Sequence, residues 1–179
     1  MITAASILFI CTASMVLDSL IVQAEEGETY HATLTGKDEV PPNESNAVGW
    51  AKILFPSDND TIMSYWVNIT GLESITGAHI NSGSAGQNGD SVVELSKEQS
   101  AKDKSKPIIE LKGNITKADL QGLLKGKEIS DLVTLMIDGT YLNVNTDKNP
   151  NGAIRGQIVS GEPQMNASLS SVTGTNSTN

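Results

Sequence analysis

The sequence predicts an all-β domain, a Greek-key β-sandwich or barrel-like fold with one short helical connection. Three observations predict it. Apolar and polar residues alternate with period two along the middle of the chain, and clusters of Asp, Asn, Gly and Pro interrupt the runs at short intervals. Helical spacing is confined to one region, residues 116–136. Alternation is what a half-buried strand requires, because successive side chains point to opposite faces of a sheet. Many short strands separated by turn residues are the pattern of sandwiches and barrels.

In residues 29–35, Tyr30, Ala32 and Leu34 share a face against Thr29, His31, Thr33 and Thr35. In residues 47–55, Gly49, Ala51, Ile53 and Phe55 oppose Val48, Trp50, Lys52 and Leu54. In residues 61–72, Met63, Tyr65, Val67 and Ile69 line one side. Further strands are predicted at 77–81, 92–95, 107–115, 140–146 and 153–159, with turns at 58–60, 86–89 and 149–152. Thr116 to Asp119 has capping-box form with Asp in place of Glu, and Leu120, Leu123 and Leu124 follow at helical spacing. A second short helix is predicted at 130–136, the two together crossing one end of the sandwich. The Ser-rich stretch 96–106, with four lysines, reads as a solvated insertion.

The ends differ from the middle. Residues 2–17 carry no charge, include the apolar block Ile7-Leu8-Phe9-Ile10, and lead to Val22-Gln23-Ala24 ahead of Glu25-Glu26. Residues 1–24 are therefore expected to be a secretory signal peptide, and the protein to be secreted; membrane attachment is expected only if this segment stays uncleaved. The single cysteine, Cys11, lies inside it behind Ile10, which does not suit a lipoprotein signal. The domain proper, 25–160, is thus expected to hold together by its core alone. Residues 161–179, dominated by Ser, Thr, Asn and Gly, are expected to be a disordered tail.

Twelve basic against 21 acidic side chains, net charge −9, argue against nucleic acid, which needs a basic face. Two histidines, with no CxxC, GxSxG, HExxH or paired-carboxylate motif, leave no nucleophile–base pair, so no catalytic residues and no cofactor are expected. Gly83-x-x-Gly86-x-x-Gly89 lacks the strand-to-helix context of a phosphate loop. Asp147-x-Asn149-x-Asn151-Gly152 copies half of a calcium loop, but position twelve is Ile158 and Pro150 interrupts it; a hairpin turn is the expected reading.

The order of motifs resembles the CHRD domain, named after chordin and found in many exported microbial proteins. The resemblance rests on Ala32-x-Leu34-x-Gly36 leading to Glu39-Val40-Pro41-Pro42, then Gly49 and Ala51, Tyr65-x-Val67, Gly71-Leu72 and Ala78-His79-Ile80. It continues through Gly113-x-Ile115-Thr116 and Tyr141-x-Asn143-Val144-x-Thr146 to Asn149-Pro150-x-Gly152-x-Ile154-Arg155-Gly156-Gln157, about residues 29–159. It implies a Greek-key β-domain outside the cell and implies no activity. In chordin the repeats belong to a protein that binds growth factors, a partner that does not transfer to this chain. Where the family usually has His-Ile-His, Asn-Val-His-Thr and Glu before Ile-Arg-Gly, this chain has His79-Ile80-Asn81, Asn143-Val144-Asn145-Thr146 and Ala153. If the family's histidines and glutamate form a metal or proton-transfer site, three of its four members are missing here, since imidazole suits zinc and copper whereas an Asn carbonyl oxygen is neutral and hard. His79 is expected to be a hydrogen-bonded structural histidine and His31 to be exposed.

The expected function is a non-catalytic, exported binding or structural module with a partner outside the cell or at its surface. Any ligand is expected near His79, Asn81, Asn145, Asp147 and Arg155, with structural use the first expectation for Arg155. The alternative is a metal-binding or metal-dependent protein centred on His79. Six Asn-x-Ser/Thr sequons, at Asn43, Asn59, Asn68, Asn114, Asn166 and Asn176, offer glycosylation sites.

Overall fold

The computed structural model describes residues 27–56 and 61–161; the 1–24 segment, the 58–60 turn and sequons Asn59, Asn166 and Asn176 lie outside them, as does the tail beyond Gly161. The strands are β1 (Glu28–Thr35), β2 (Val48–Phe55), β3 (Ile62–Thr70), β4 (Ser74–Ile75), β5 (Gly77–Ser82), β6 (Ser91–Ser96), β7 (Gln99–Ser100), β8 (Ile108–Thr116), β9 (Thr140–Asn145) and β10 (Ile154–Ser160), with helix α1 (Ile129–Gly139) before β9. Eight of them form one antiparallel sheet in the order β6-β5-β9-β10-β1-β2-β3-β8. Its two edges, β6 and β8, come together, and Tyr65 Oη on β3 donates to the Leu95 carbonyl on β6 at 2.7 Å. The sheet is therefore a nearly closed barrel, which hides the unpaired edges that an open sheet would expose.

The predicted alternation sets the barrel's inside. Tyr30, Ala32 and Leu34 of β1, Ala51 and Ile53 of β2, and Met63, Val67 and Ile69 of β3 all face inward and are buried. Leu142 and Val144 of β9 and Ile80 of β5 meet them from the other wall. Ile129, Leu132 and Met136, spaced along one face of α1, add to this core.

Two sequence expectations need correction. There is no α-helix at Leu120 to Leu124: two separate 3-10 turns, Lys117–Asp119 and Gly122–Leu124, flank an extended Leu120, and only Leu123 and Leu124 lie on a turn. The capping contact does form, with the Asp119 carboxylate accepting from Thr116 N at 2.8 Å and Thr116 Oγ1 at 2.7 Å. Propagation then fails at Leu120 and Gln121, both extended, with Leu120 bridging to Val93; Gly122, at φ +56°, opens the second turn. The stretch 96–106 also does more than loop, since β7 within it pairs with β4.

Candidate functional site

The site grows out of the wall β5–β9–β10. Register places His79 opposite Asn143, and Asn143 opposite Arg155 on β9's other flank; one pleat further, Asn81, Tyr141 and Gln157 align. With Leu142, Val144 and Ile80 facing inward, these polar side chains all belong to the outer face. That face is nevertheless covered: Asn143, Tyr141 and Arg155 are 6%, 3% and 2% exposed.

Arg155 holds the cover in place. Its guanidinium donates to Asn88 Oδ1 at 3.0 Å, to the Gln87 carbonyl at 2.7 Å and to the Ser84 carbonyl at 3.2 Å. It also lies 3.4 Å above the centre of the Tyr141 ring. Gln157 Nε2 donates to the Gly83 carbonyl, and Asn88 Nδ2 reaches the Val40 carbonyl at 2.7 Å. One planar fork thus fixes the β5–β6 connection onto β10, and Asn88 joins the β1–β2 connection to it, a geometry an ammonium could not reproduce.

A cavity of about 350 Å³ opens beside this clamp, lined by His79, Asn81, Tyr141, Asn143, Asn145 and the Asn88 and Pro150-Asn151 loops. The amide nitrogens of Asn81, Asn143 and Asn145 are already engaged. Asn81 Nδ2 donates to the Gly89 carbonyl at 3.1 Å, Asn143 Nδ2 to Asn151 at 3.1 Å, and Asn145 Nδ2 to Pro150 at 2.6 Å. A carbonyl opposite each nitrogen fixes the amide orientation, because a flip would set oxygen against oxygen. The consequence is that Oδ1 of Asn81, Asn143 and Asn145, together with His79 Nδ1, are buried with no hydrogen-bond partner in the protein. A buried acceptor left unpaired costs about 1–3 kcal/mol, so a cluster of them is an expensive arrangement to retain. Burial holds the His79 imidazole below its ordinary pKa, with Glu94 pulling the other way, and the ring is neutral at neutral pH.

The sequence-predicted residues separate here. His79, Asn81 and Asn145 do converge; His79, expected to be hydrogen-bonded, has its Nδ1 unpaired. Asp147 does not join them: it is exposed and lines a different cavity of about 800 Å³ with Glu44 and Glu73. Arg155 lies behind the Tyr141 ring and borders a third cavity of about 420 Å³ with Glu39. His31 is partly exposed, its Nδ1 2.8 Å from the Gly161 carbonyl. Among the described residues no group of three or more His, Cys, Asp and Glu side chains is placed to hold a metal ion.

Sequence reasoning missed Asn143, Tyr141 and Glu39 as site residues. Asn143 and Tyr141 were legible as the residues sharing a strand face with Asn145. Glu39 carried no such signal. It is 7% exposed, its Oε1 is unpaired, and its carboxyl lies against Gly152, where a Cβ would come within 2.4 Å of both oxygens. Burial pushes its pKa up to about 7, even though Arg155 pulls it down. Of the sequons described, Asn43 donates its amide nitrogen to the Gly152 and Ala153 carbonyls at 3.0 and 3.2 Å. Asn68 and Asn114 are exposed on the outer face of β3 and β8.

These features define a nearly closed antiparallel β-barrel module with loops clamped over one polar wall. The family model of the CHRD domain matches residues 30–158, and the chain belongs to that family. No curated protein and no solved structure matches the chain.

Proposed function

We propose that the protein is a non-catalytic, exported binding module that takes a hydrogen-bond-donating ligand in the pocket between β5 and β9. The observation that carries this reading is the set of three buried, unpaired amide oxygens, Oδ1 of Asn81, Asn143 and Asn145, beside the equally unpaired His79 Nδ1. Their partner must bring donors, as the hydroxyls of a sugar or polyol and the N–H groups of a protonated amine do. Amide oxygens neither exchange protons nor attack at neutral pH, which supports binding over catalysis. The sequence supports export through the signal-like segment 1–24. Among the described residues no helix is long and apolar enough to cross a membrane.

Titrating the ¹⁵N-labelled chain with neutral sugars, polyols and diamines tests the reading. Shifts are expected in the amides of β5 and β9, and Asn143→Leu should abolish them while leaving the fold's spectrum intact. Metal analysis of the same preparation decides the alternative. Stoichiometric zinc or copper that disappears in His79→Ala would replace the donor ligand with a metal, and shifts confined to other faces would remove the pocket from the proposal.

A further inference from the structure

The opposite wall carries a second unexplained feature. Both tryptophans of the chain lie on its outer face, Trp50 on β2 at 38% and Trp66 on β3 at 41% exposure. Register puts Trp50 directly opposite Asn68, and Trp66 shares Asn68's face two residues earlier on the same strand. Directly opposed pairs sit with Cβ atoms about 4.5–5.5 Å apart, and i, i+2 or diagonal neighbours remain within reach of an aromatic ring. The two indoles therefore flank one asparagine.

That asparagine heads the sequon Asn68-Ile69-Thr70. Ile69 faces the core, so Asn68 and Thr70 both point outward and both are exposed. The three sequons within the described residues are not equivalent. Asn43 Nδ2, the atom a glycan would occupy, is donated to two carbonyls across the barrel rim. Asn114 is tied through its Oδ1 to the Ser64 hydroxyl at 3.0 Å. Asn68 makes no side-chain hydrogen bond among the described residues. The two indoles, with Val48 and Ile108 outward on the same wall, give this face an apolar character that a sugar ring's C–H face complements.

We infer that Asn68 is an N-glycosylation site whose first sugar packs its apolar face over Trp50 and Trp66. The bond formed joins Asn68 Nδ2 to the anomeric carbon of a lipid-pyrophosphate-linked oligosaccharide, whose pyrophosphate leaves with the electrons of the broken C–O bond; the amide proton goes to solvent. The occupant is thus a covalent neutral glycan, and it covers the two aromatic side chains of an outer face that also exposes Val48 and Ile108. The inference shares the export expectation with the proposed function but not the β5–β9 pocket, so a pocket that binds nothing leaves it standing.

The test is secretion of the full chain from a glycosylating host, followed by site-by-site mass spectrometry after glycan release in ¹⁸O-labelled water. Asn68 should be occupied and Asn43 largely empty, and Thr70→Ala should remove the Asn68 glycan alone. Trimming to a single sugar should leave iodide quenching of tryptophan fluorescence unchanged. Complete removal should raise quenching severalfold and lower Tm by a few degrees. In Trp66→Leu the glycan should still attach, but its removal should shift Tm by less. A secreted chain with Asn68 unmodified overturns the inference, whichever other sequons are filled. So does a chain that enters no secretory pathway, or an occupied Asn68 whose glycan leaves indole quenching unchanged.

Discussion

The wall β1–β2–β3–β8 and the wall β5–β9–β10 have the same antiparallel geometry and treat their outer faces in opposite ways. On the first, register is continuous and the outward positions, such as Asn68, Glu110 and Lys112, meet solvent. On the second, β9 is buried on both faces, and register against β6 shifts twice along β5. The difference teaches that one alternation code can serve two purposes. A polar residue in an outward position is a solubility device where nothing covers it and a site component where loops do.

Arg155 is the sharpest way to break this contrast. Arg155→Ala leaves the Ser84 and Gln87 carbonyls, Asn88 and the half-neutralised Glu39 without their cation, and is expected to cost about 3–5 kcal/mol in urea unfolding. A cost near zero would mean that the outer layer of the second wall is not a built layer. Arg155→Lys should recover only part of the loss, since an ammonium cannot serve the same fork of acceptors.

On the regular wall the largest losses should come from the inside instead. Ile69, fully buried between β2 and β8, is expected to cost about 3 kcal/mol as Ile69→Ala. Outward substitutions on the same strand, such as Ser64→Ala, should stay within about 0.5 kcal/mol, measured by the same unfolding curves.

Glu39 ties stability to pH from the second wall. Its folded-state pKa, raised to about 7 from 4.5 by burial, means that the folded protein binds the proton more tightly than the unfolded chain. The stability this contributes is complete below the unfolded value and is lost as pH rises through about 7, a swing of at most about 3 kcal/mol. Glu39→Gln should flatten the profile between those values and leave the protein more stable than the parent above neutrality. A parent with no fall in Tm over this interval would place the carboxyl in water. The smallest effect is expected from Asp147→Ala, within about 0.5 kcal/mol and without influence on ligand-induced shifts at β5 and β9, because Asp147 is exposed on another cavity.

Much of the fold was legible because period-two alternation states which residues share a face. The predicted runs at 29–35, 47–55 and 140–146 became β1, β2 and β9 with ends moved by one residue. The Leu120–Leu124 spacing misled because helical periodicity carries no information about the long-range bridge to Val93 that holds Leu120 extended, with Gln121 extended after it. The site was legible in part. His79, Asn81 and Asn145 stood out against the family's usual histidines, whereas Asp147 was included by proximity in sequence and then left the strand's face when β9 ended at Asn145. Glu39 is more than a hundred residues from Gly152, against which it packs, and no local pattern joins them.

Sequence by itself determined the eight strands of the barrel, the inward faces of β1, β2 and β3, the acidic character and the family. Tertiary structure alone decided which outward face is sealed and which stays open. The physical reason is that alternation fixes side-chain direction relative to a sheet, a local property of the backbone. Burial of an outward face depends on what another part of the chain lays over it. Here two connections do so: the β5–β6 connection clamped by Arg155 lies over Asn81, and the β9–β10 connection lies over Asn143 and Asn145, leaving their amide oxygens buried and unpaired.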